Sequence, residues 1–491
     1  MEKSKTASKN IAIVGGGWAG MAAAIYATQA GHHATVFEAS HALGGRAKLV
    51  NGTLPDGRQV VLDNGQHILI GAYAETLKLM QTVGVNLENA LLRLPLTLQF
   101  PDETGNLAGL KLPDWPAPWI VGLDAAWGIA TAKGWTWSDK LALLRAAAAW
   151  QRGGFVCSPH WSVLQLCERS TPKISLRVMA ELIEPLCLSA LNTPAADASA
   201  QVFLRVLQDA MFSPSIKIDA KTSKPVTFGS ANLLIPKRDL SNLFPHPAAA
   251  WLVQNGGNLL LGERVEAVDY STAGWQVASK SSNSATSVKQ SFDTVIFATS
   301  PSNMAVTSIN TASSVTNNIA KELQHLLQRE VQDWKNSVHA LRYEAIATVY
   351  AYAPSAKLPK PMLALRYDVG NDNGNDTGEA AQNPAQFVFD RGQLGSETGL
   401  LAFVVSAAQG ERLDIQRQVI EQGKTQLNLP NLQPIQTIVE KRATFACRPG
   451  LQRPSNQIAP GLLVCGDYVA GPYPATLEGA VRSAQQAVAL I

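Results

Sequence analysis

Three glycines, one glutamate and one arginine near the start of the chain carry the most legible chemistry. Gly15, Gly17 and Gly20 stand in G-x-G-x-x-G spacing around Trp18 and Ala19. They lie between the apolar run Ile11-Ala12-Ile13-Val14 and an alanine-rich stretch from Met21. Between a strand and a helix, the first glycine permits a tight turn and the second lets backbone N–H groups approach a pyrophosphate. The third lets helix and strand pack closely. Gly31 supplies a helix stop, and Ala34-Thr35-Val36-Phe37 reads as a second strand ending on Glu38. A carboxylate at that distance can accept hydrogen bonds from a ribose diol. Glycines in a turn are commonly only a turn. Strand, glycines, helix, strand and terminal acid in that order predict a dinucleotide site.

Gly44-Gly45-Arg46 follows soon after. Backbone amides and a guanidinium there can meet the same pyrophosphate. This is the arrangement seen in flavoproteins, so FAD is expected, and no second glycine fingerprint for a nicotinamide cofactor occurs. Residues 59–62 read as a strand running into Asp63-Asn64-Gly65-Gln66-His67, where Gly65 marks a place for close backbone approach. An isolated histidine such as His67 is more often a hydrogen-bonded core residue than a catalyst.

These residues, with the segment that follows them and the C-terminal run, carry a family resemblance. The stretch from Asp63 through His67-Ile68-Leu69-Ile70-Gly71-Ala72-Tyr73 is similar to the flavin-bordering segment of plant-type phytoene desaturases. Gly466-Asp467-Tyr468 and Tyr473-Pro474-Ala475-Thr476-Leu477-Glu478-Gly479 match the same group at the other end. The chain thus resembles FAD-dependent members of the amine oxidase and carotenoid desaturase superfamily. Two central runs, Cys187-Leu188-Ser189-Ala190-Leu191-Asn192-Thr193-Pro194 and Asn232-Leu233-Leu234-Ile235-Pro236-Lys237-Arg238-Asp239-Leu240, most resemble its hydroxysqualene dehydroxylase branch.

The resemblance implies an α/β fold: a Rossmann-like FAD-binding domain with an interleaved α+β substrate-binding domain, built from an antiparallel sheet and a helical lid. Residues 9–90, 225–300 and 435–491 are expected in the first, and 91–224 and 301–434 in the second. Expected FAD contacts are Gly15, Gly17, Trp18, Ala19, Gly20, Glu38, Gly44, Gly45, Arg46, Gly65, Gln66, His67, Val265, Gly466, Asp467, Thr476 and Leu477. Thr476 is placed to cap a final helix whose positive end would face the flavin. Asp63, His67, Tyr468 and Tyr473 are candidates for a proton donor, because they lie in segments expected near the ring. The implied reaction is reductive removal of the hydroxyl of hydroxysqualene to give squalene. The electron donor that reduces the flavin is not specified by any motif. Rival readings are an oxidative carotenoid-type desaturase, an amine oxidase, and a lipid-binding module that has lost its flavin.

The remaining chain must position these residues. At 491 residues, 46% hydrophobic and 16% charged, two or three globular domains are expected. A net charge of +3 argues against a nucleic-acid partner. Five cysteines without C-x-x-C spacing read as buried thiols in a reducing compartment. Eight scattered histidines without H-E-x-x-H predict no metal. The polar start lacks a signal-peptide core, and no uninterrupted apolar run is long enough to span a bilayer. A cytoplasmic location follows.

Residues 91–224 read as mostly helical. A helix opening at Ser138 and running through Gln151 would place Leu141, Leu144 and Ala148 on one side. Seven of the eleven tryptophans (Trp115, Trp119, Trp127, Trp135, Trp137, Trp150, Trp161) fall here, with Lys133, Lys140, Arg145 and Arg152. Lid packing is the plain reading. The sharper one is peripheral contact with the inner face of the plasma membrane, from which a long isoprenoid substrate would enter. Residues 344–352, 387–391 and 400–406 read as antiparallel strands, and 368–386 as a loop.

Overall fold

The computed structural model describes residues 7–491 except 103–105, 116–121, 213–215, 221–222, 272–273, 285, 306, 312–317, 355 and 369–381. Trp119 and most of the expected 368–386 loop lie outside the described residues. Six strands form one sheet in the order Asn258–Leu261, His33–Glu38, Asn10–Val14, Thr294–Phe297, Leu462–Val464, Gln457–Ala459. The first five run parallel and the last joins antiparallel. Parallel strands need both faces covered, and Ile11, Ala12, Ile13, Ile296 and Phe297 are fully buried. One face is covered by the helices Trp18–Gln29, Pro245–Gln254 and Leu477–Val488, whose alanines, Leu252 and Val481 share a core with Ile11 and Ile13.

A second, five-stranded antiparallel sheet runs in the order Met362–Ala364, Phe387–Asp390, Leu400–Ser406, Tyr343–Tyr352, Gln433–Phe445. Its alternation divides two environments. Ala347, Val349, Leu401 and Phe403 pack with Ile415 and Val419 of the helix Arg412–Gln426. Tyr350, Phe387, Phe389 and Ala402 face the other way, into the core shared with Ile183, Cys187 and Leu191 of the helical region. The last strand carries this sheet to Phe445, beyond the expected boundary at 434. Ser308–Thr311 pairs parallel with Glu263–Ser271, so the cofactor-side sheets also extend past residue 300.

The helical expectation for 91–224 holds only in its middle, from Leu123 to Met211, and Ile216–Ala220 pairs antiparallel with Ser223–Phe228 at its end. Leu91–Leu94 pairs with Leu233–Pro236, and Thr97–Pro101 with Leu107–Lys111. The alternation that buries Leu98 and Phe100 between half-exposed neighbours is the strand period, and it prevails over helix propensity. The helix expected from Ser138 spans Trp137–Arg152, capped by a reciprocal Thr136–Asp139 box. Its buried face is Ala142, Leu143 and Ala146, while Leu141 is 47% exposed. Further on, a π-helical turn, Met179–Ile183, precedes the helix Glu184–Leu191.

Candidate cofactor site

The glycine turn is built as its spacing predicts. Gly15 has φ +111°, and its N–H donates to Phe37 O at 2.8 Å. A Cβ on Gly20 would lie 1.8 Å from Gly15 O, so only glycine lets the helix begin that close to the turn. Gly17 differs. A Cβ there would meet nothing nearer than Gly45 Cα at 3.9 Å, so the two glycine loops face each other across an open gap. Gly44 N–H donates to Gly16 O at 3.0 Å and holds those loops together. The 12-residue helix beginning at Trp18 and Ala19 has no side-chain cap and no acid in its first turn. Its N–H groups and positive dipole end are left for an anion.

Glu38 closes the turn. Its Oε2 accepts from Gly16 N–H at 2.6 Å and its Oε1 from Ser40 N–H at 2.8 Å. Beside it Leu261 pairs with Glu38, and Gly262 N–H donates to Ser40 O, while Val265 is buried in the following strand Glu263–Ser271, paired with Ser279.

Arg46 joins three distant segments. Nη2 is 2.6 Å from Asp467 Oδ1, and Nη1 donates to the carbonyl of Ala443 at the end of the second sheet. Asn64 Nδ2 donates to Arg46 O at 3.0 Å, which draws Gly65, Gln66 and His67 to the same place. On the far side, Gly466 N–H donates to Ser483 Oγ, and Ala475 N–H to Asp467 O. Thr476 caps the helix Leu477–Val488, accepting from Gly479 N–H at 3.0 Å. The glutamate of this run is structural. Glu478, fully buried, accepts from Thr76 N–H and Oγ1 and from Arg482 Nε, tying the final helix to the helix Ala74–Thr82.

Buried polar atoms without partners complete the picture. Thr299 Oγ1, Tyr343 OH and Trp334 Nε1 are each buried and unpaired. Thr299 lines the glycine turn, its Cγ2 being 3.1 Å from a Cβ placed on Gly15. Tyr343 lies within the field of Asp467 and Arg46, and Trp334 packs edge-on to Tyr468. Three orphaned polar groups around one cradle are the donor and acceptor set a polar ligand would satisfy. With the open Gly17–Gly45 gap and the uncapped helix, they fit a dinucleotide. Sequence reading missed all three, because each is an ordinary residue until the fold gathers it.

The proton-donor candidates receive distinct environments. Asp63 is 1% exposed; its Oδ1 accepts from Leu240 N–H at 2.7 Å, and its Oδ2 is 3.6 Å from Arg391 Nη1. Both oxygens are engaged in holding structure. Burial, opposed by Arg391 and the Leu240 N–H, pushes its carboxyl up to about 6. His67 places Nδ1 2.9 Å from Gly65 O, and a carbonyl can only accept, so that nitrogen carries the proton. Burial holds the ring below its ordinary value. Tyr468 OH donates to Thr299 O at 3.3 Å, and Tyr473 OH to Ala72 O at 3.4 Å. Burial raises both phenols. Tyr468 meets Trp334 and Tyr473 meets Tyr73, so the two rings have different aromatic partners. Among the described residues no cluster of metal ligands occurs, and no helix is long and apolar enough to cross a membrane.

Two outcomes are expected. Glu38→Ala removes both the proposed ribose acceptor and a brace of the turn, and should weaken dinucleotide retention about tenfold. Fluorescence titration of the apoprotein measures it, and unchanged affinity would contradict the assignment. For Asp63, the folded state favours the protonated acid relative to an unfolded value of about 3.9. That stabilisation is full below about pH 4 and is lost as pH rises through about 6. Urea unfolding should show about 3 kcal/mol lost across this window in the wild type, an increment absent from Asp63→Asn.

Comparison with known proteins agrees with this geometry. The chain is 24% identical over 514 aligned residues to a hydroxysqualene dehydroxylase of Rhodopseudomonas palustris, covering 99% of this chain and 98% of that protein. A 15-cis-phytoene desaturase of Synechococcus elongatus is 33% identical over 133 residues, 27% of this chain and 26% of its own. Among solved structures, an oxidoreductase from Methanosarcina mazei superposes with a TM-score of 0.64 at 15% identity, covering 97% of this chain and 99% of that one. Cyclohexylamine oxidase from Brevibacterium oxydans gives 0.56 at 15% identity over 98% of both chains. These likenesses at low identity establish the fold. The sequence model of the flavin containing amine oxidoreductases matches residues 18–491, and the chain belongs to that family of FAD-dependent oxidoreductases.

Proposed function

We propose that the protein is a hydroxysqualene dehydroxylase, converting a C30 allylic alcohol to squalene. The observation that carries the reading is the full-length likeness to a protein of that name, which spans the cofactor cradle and the helical region alike. Bound FAD, once reduced, supplies the hydride. The balance is simple: the C–O bond breaks, oxygen leaves with an added proton as water, and a C–H bond forms at the vacated carbon.

The chain's own contribution is an apolar interior and polar groups at its edge. Phe387, Phe389, Ala402 and Tyr350 of the antiparallel sheet share one core with Ile183, Cys187 and Leu191, apolar surroundings that suit an isoprenoid and exclude water. Cation development at the reacting carbon is tolerable there only if the leaving oxygen receives a proton. Tyr343, whose buried hydroxyl lacks a partner beside Arg46 and Asp467, joins Tyr468 and Tyr473 as a group able to supply one. An oxidative carotenoid desaturase is the second reading, favoured by the shorter matches to enzymes of that name.

Membrane contact belongs to the same proposal. Trp127 and Trp137 are 54% and 77% exposed, Leu123 and Leu141 are exposed on the same helices, and Trp115 packs on Trp127. Lys140 lies over the Trp137 ring, while Lys133, Arg145 and Arg152 are exposed nearby in sequence. Interfacial tryptophans with flanking cations suit an anionic lipid surface.

Anaerobic mixing of the reduced holoenzyme with hydroxysqualene should reoxidise the flavin and yield squalene. Inertness toward this alcohol, with phytoene desaturated in the presence of an acceptor, would transfer the assignment to the second reading. Trp127→Ser with Trp137→Ser should reduce co-sedimentation with anionic liposomes about tenfold, and equal pelleting would remove the membrane contact.

A further inference from the structure

The Asp63–Arg391 pair has no part in the reaction as described, yet it is the most deeply buried ion pair among the described residues. The two side chains are 1% and 5% exposed. Exposed pairs contribute little, and a buried one is weak support for stability, since apolar residues of similar size commonly do as well. A buried arginine therefore calls for a reason other than stability. Its contacts supply one. Arg391 Nη1 lies 3.6 Å from Asp63 Oδ2 and donates to Gln66 Oε1 at 3.0 Å. Gln66 Nε2 in turn donates to His67 O, and Gln66 N–H points at Thr348 Oγ1, 3.4 Å away.

Both side-chain partners of Arg391, Asp63 and Gln66, thus lie in the segment that Asn64 fastens to Arg46. Arg391 itself follows directly on the strand Phe387–Asp390, on the same face by alternation as Phe387 and Phe389 of the apolar core. Tyr350, on the neighbouring part of that face, reinforces the junction. Its hydroxyl donates to Asp63 O at 2.9 Å and lies 3.1 Å from Asp63 N. One N–H of Arg391, at Nε, remains buried and unpaired.

We propose that Arg391 is a positioning residue: paired with Asp63 and bonded to Gln66, it latches the substrate-facing sheet onto the flavin-bordering segment and fixes the Gln66 side chain toward the cofactor. It acts through Gln66 and does not itself touch the reacting atoms. The inference rests on flavin binding by segment 63–67 and is independent of which isoprenoid is the substrate.

The test uses full-length apoprotein titrated with FAD, read by absorption spectrum and dissociation constant, with no substrate present. Arg391→Met and Asp63→Asn should each weaken FAD about tenfold and shift the bound-flavin spectrum in the same direction, the size usual for loss of an outer partner. The double variant should also be about tenfold weaker, not a hundredfold, because both changes open one latch. Arg391→Lys should restore most of the affinity. Gln66→Leu should reproduce the spectral shift of Arg391→Met, and combining the two should add nothing. Should Arg391→Met fail to fold, the lysine and Gln66→Leu variants carry the test. Multiplicative losses, or wild-type spectra and affinity in Arg391→Met or Gln66→Leu, would overturn the proposal. Wild-type protein that takes up FAD but ignores hydroxysqualene would refute the substrate reading and leave this one standing.

Discussion

The cofactor cradle depends on a contact between residues 421 positions apart, Arg46 and Asp467. That ion pair is partly exposed and contributes little to stability by itself. Its importance is geometric. Arg46 also holds the carbonyl of Ala443 and is held by Asn64, so one residue fixes the second glycine loop, the C-terminal turn and the end of the antiparallel sheet. Around it the helices Trp18–Gln29 and Leu477–Val488 share a core of alanines and small side chains, which lets them approach closely. A dinucleotide lying along Gly17, Gly45 and Asp467 would touch all of these parts at once.

The two sheets divide the labour. The parallel one fixes the cradle through buried strands, and the antiparallel one turns an apolar face toward it and packs its other face on the helix Arg412–Gln426. The junction between them is polar: Asp63, Arg391, Tyr350 and Thr348 meet where the apolar face of the antiparallel sheet reaches the segment from Asp63 to His67. Most polar groups at that seam pair with one another, Arg391 Nε being the exception.

What could be read from the chain beforehand follows a physical rule. Gly15, Gly20, Glu38 and Thr476 act through neighbours a few residues away, so spacing alone reveals them. The strands 344–352, 387–391 and 400–406 were legible for the same reason, since alternation is local. Residues 97–111 were misread because a short stretch with leucines and glycines suits either period until its pairing is known. Arg391 was out of reach: its partner Gln66 is 325 residues distant, and a lone arginine closing an apolar strand gives only a faint cue. Thr299, Tyr343 and Trp334 stand out only as orphaned atoms, a property that exists after folding.

The interior position of Leu462–Val464 in the parallel sheet has a consequence for biogenesis. Thr294–Phe297 has Asn10–Val14 on one side and Leu462–Val464 on the other. During synthesis the first three hundred residues therefore leave the ribosome with an unfilled sheet edge and a half-made nucleotide cleft. A dinucleotide lying against both glycine loops and Asp467 would meet its last contacts only once the closing strand and its helix have emerged. Until then the growing polypeptide exposes an unpaired, greasy strand, the kind of surface chaperones recognise.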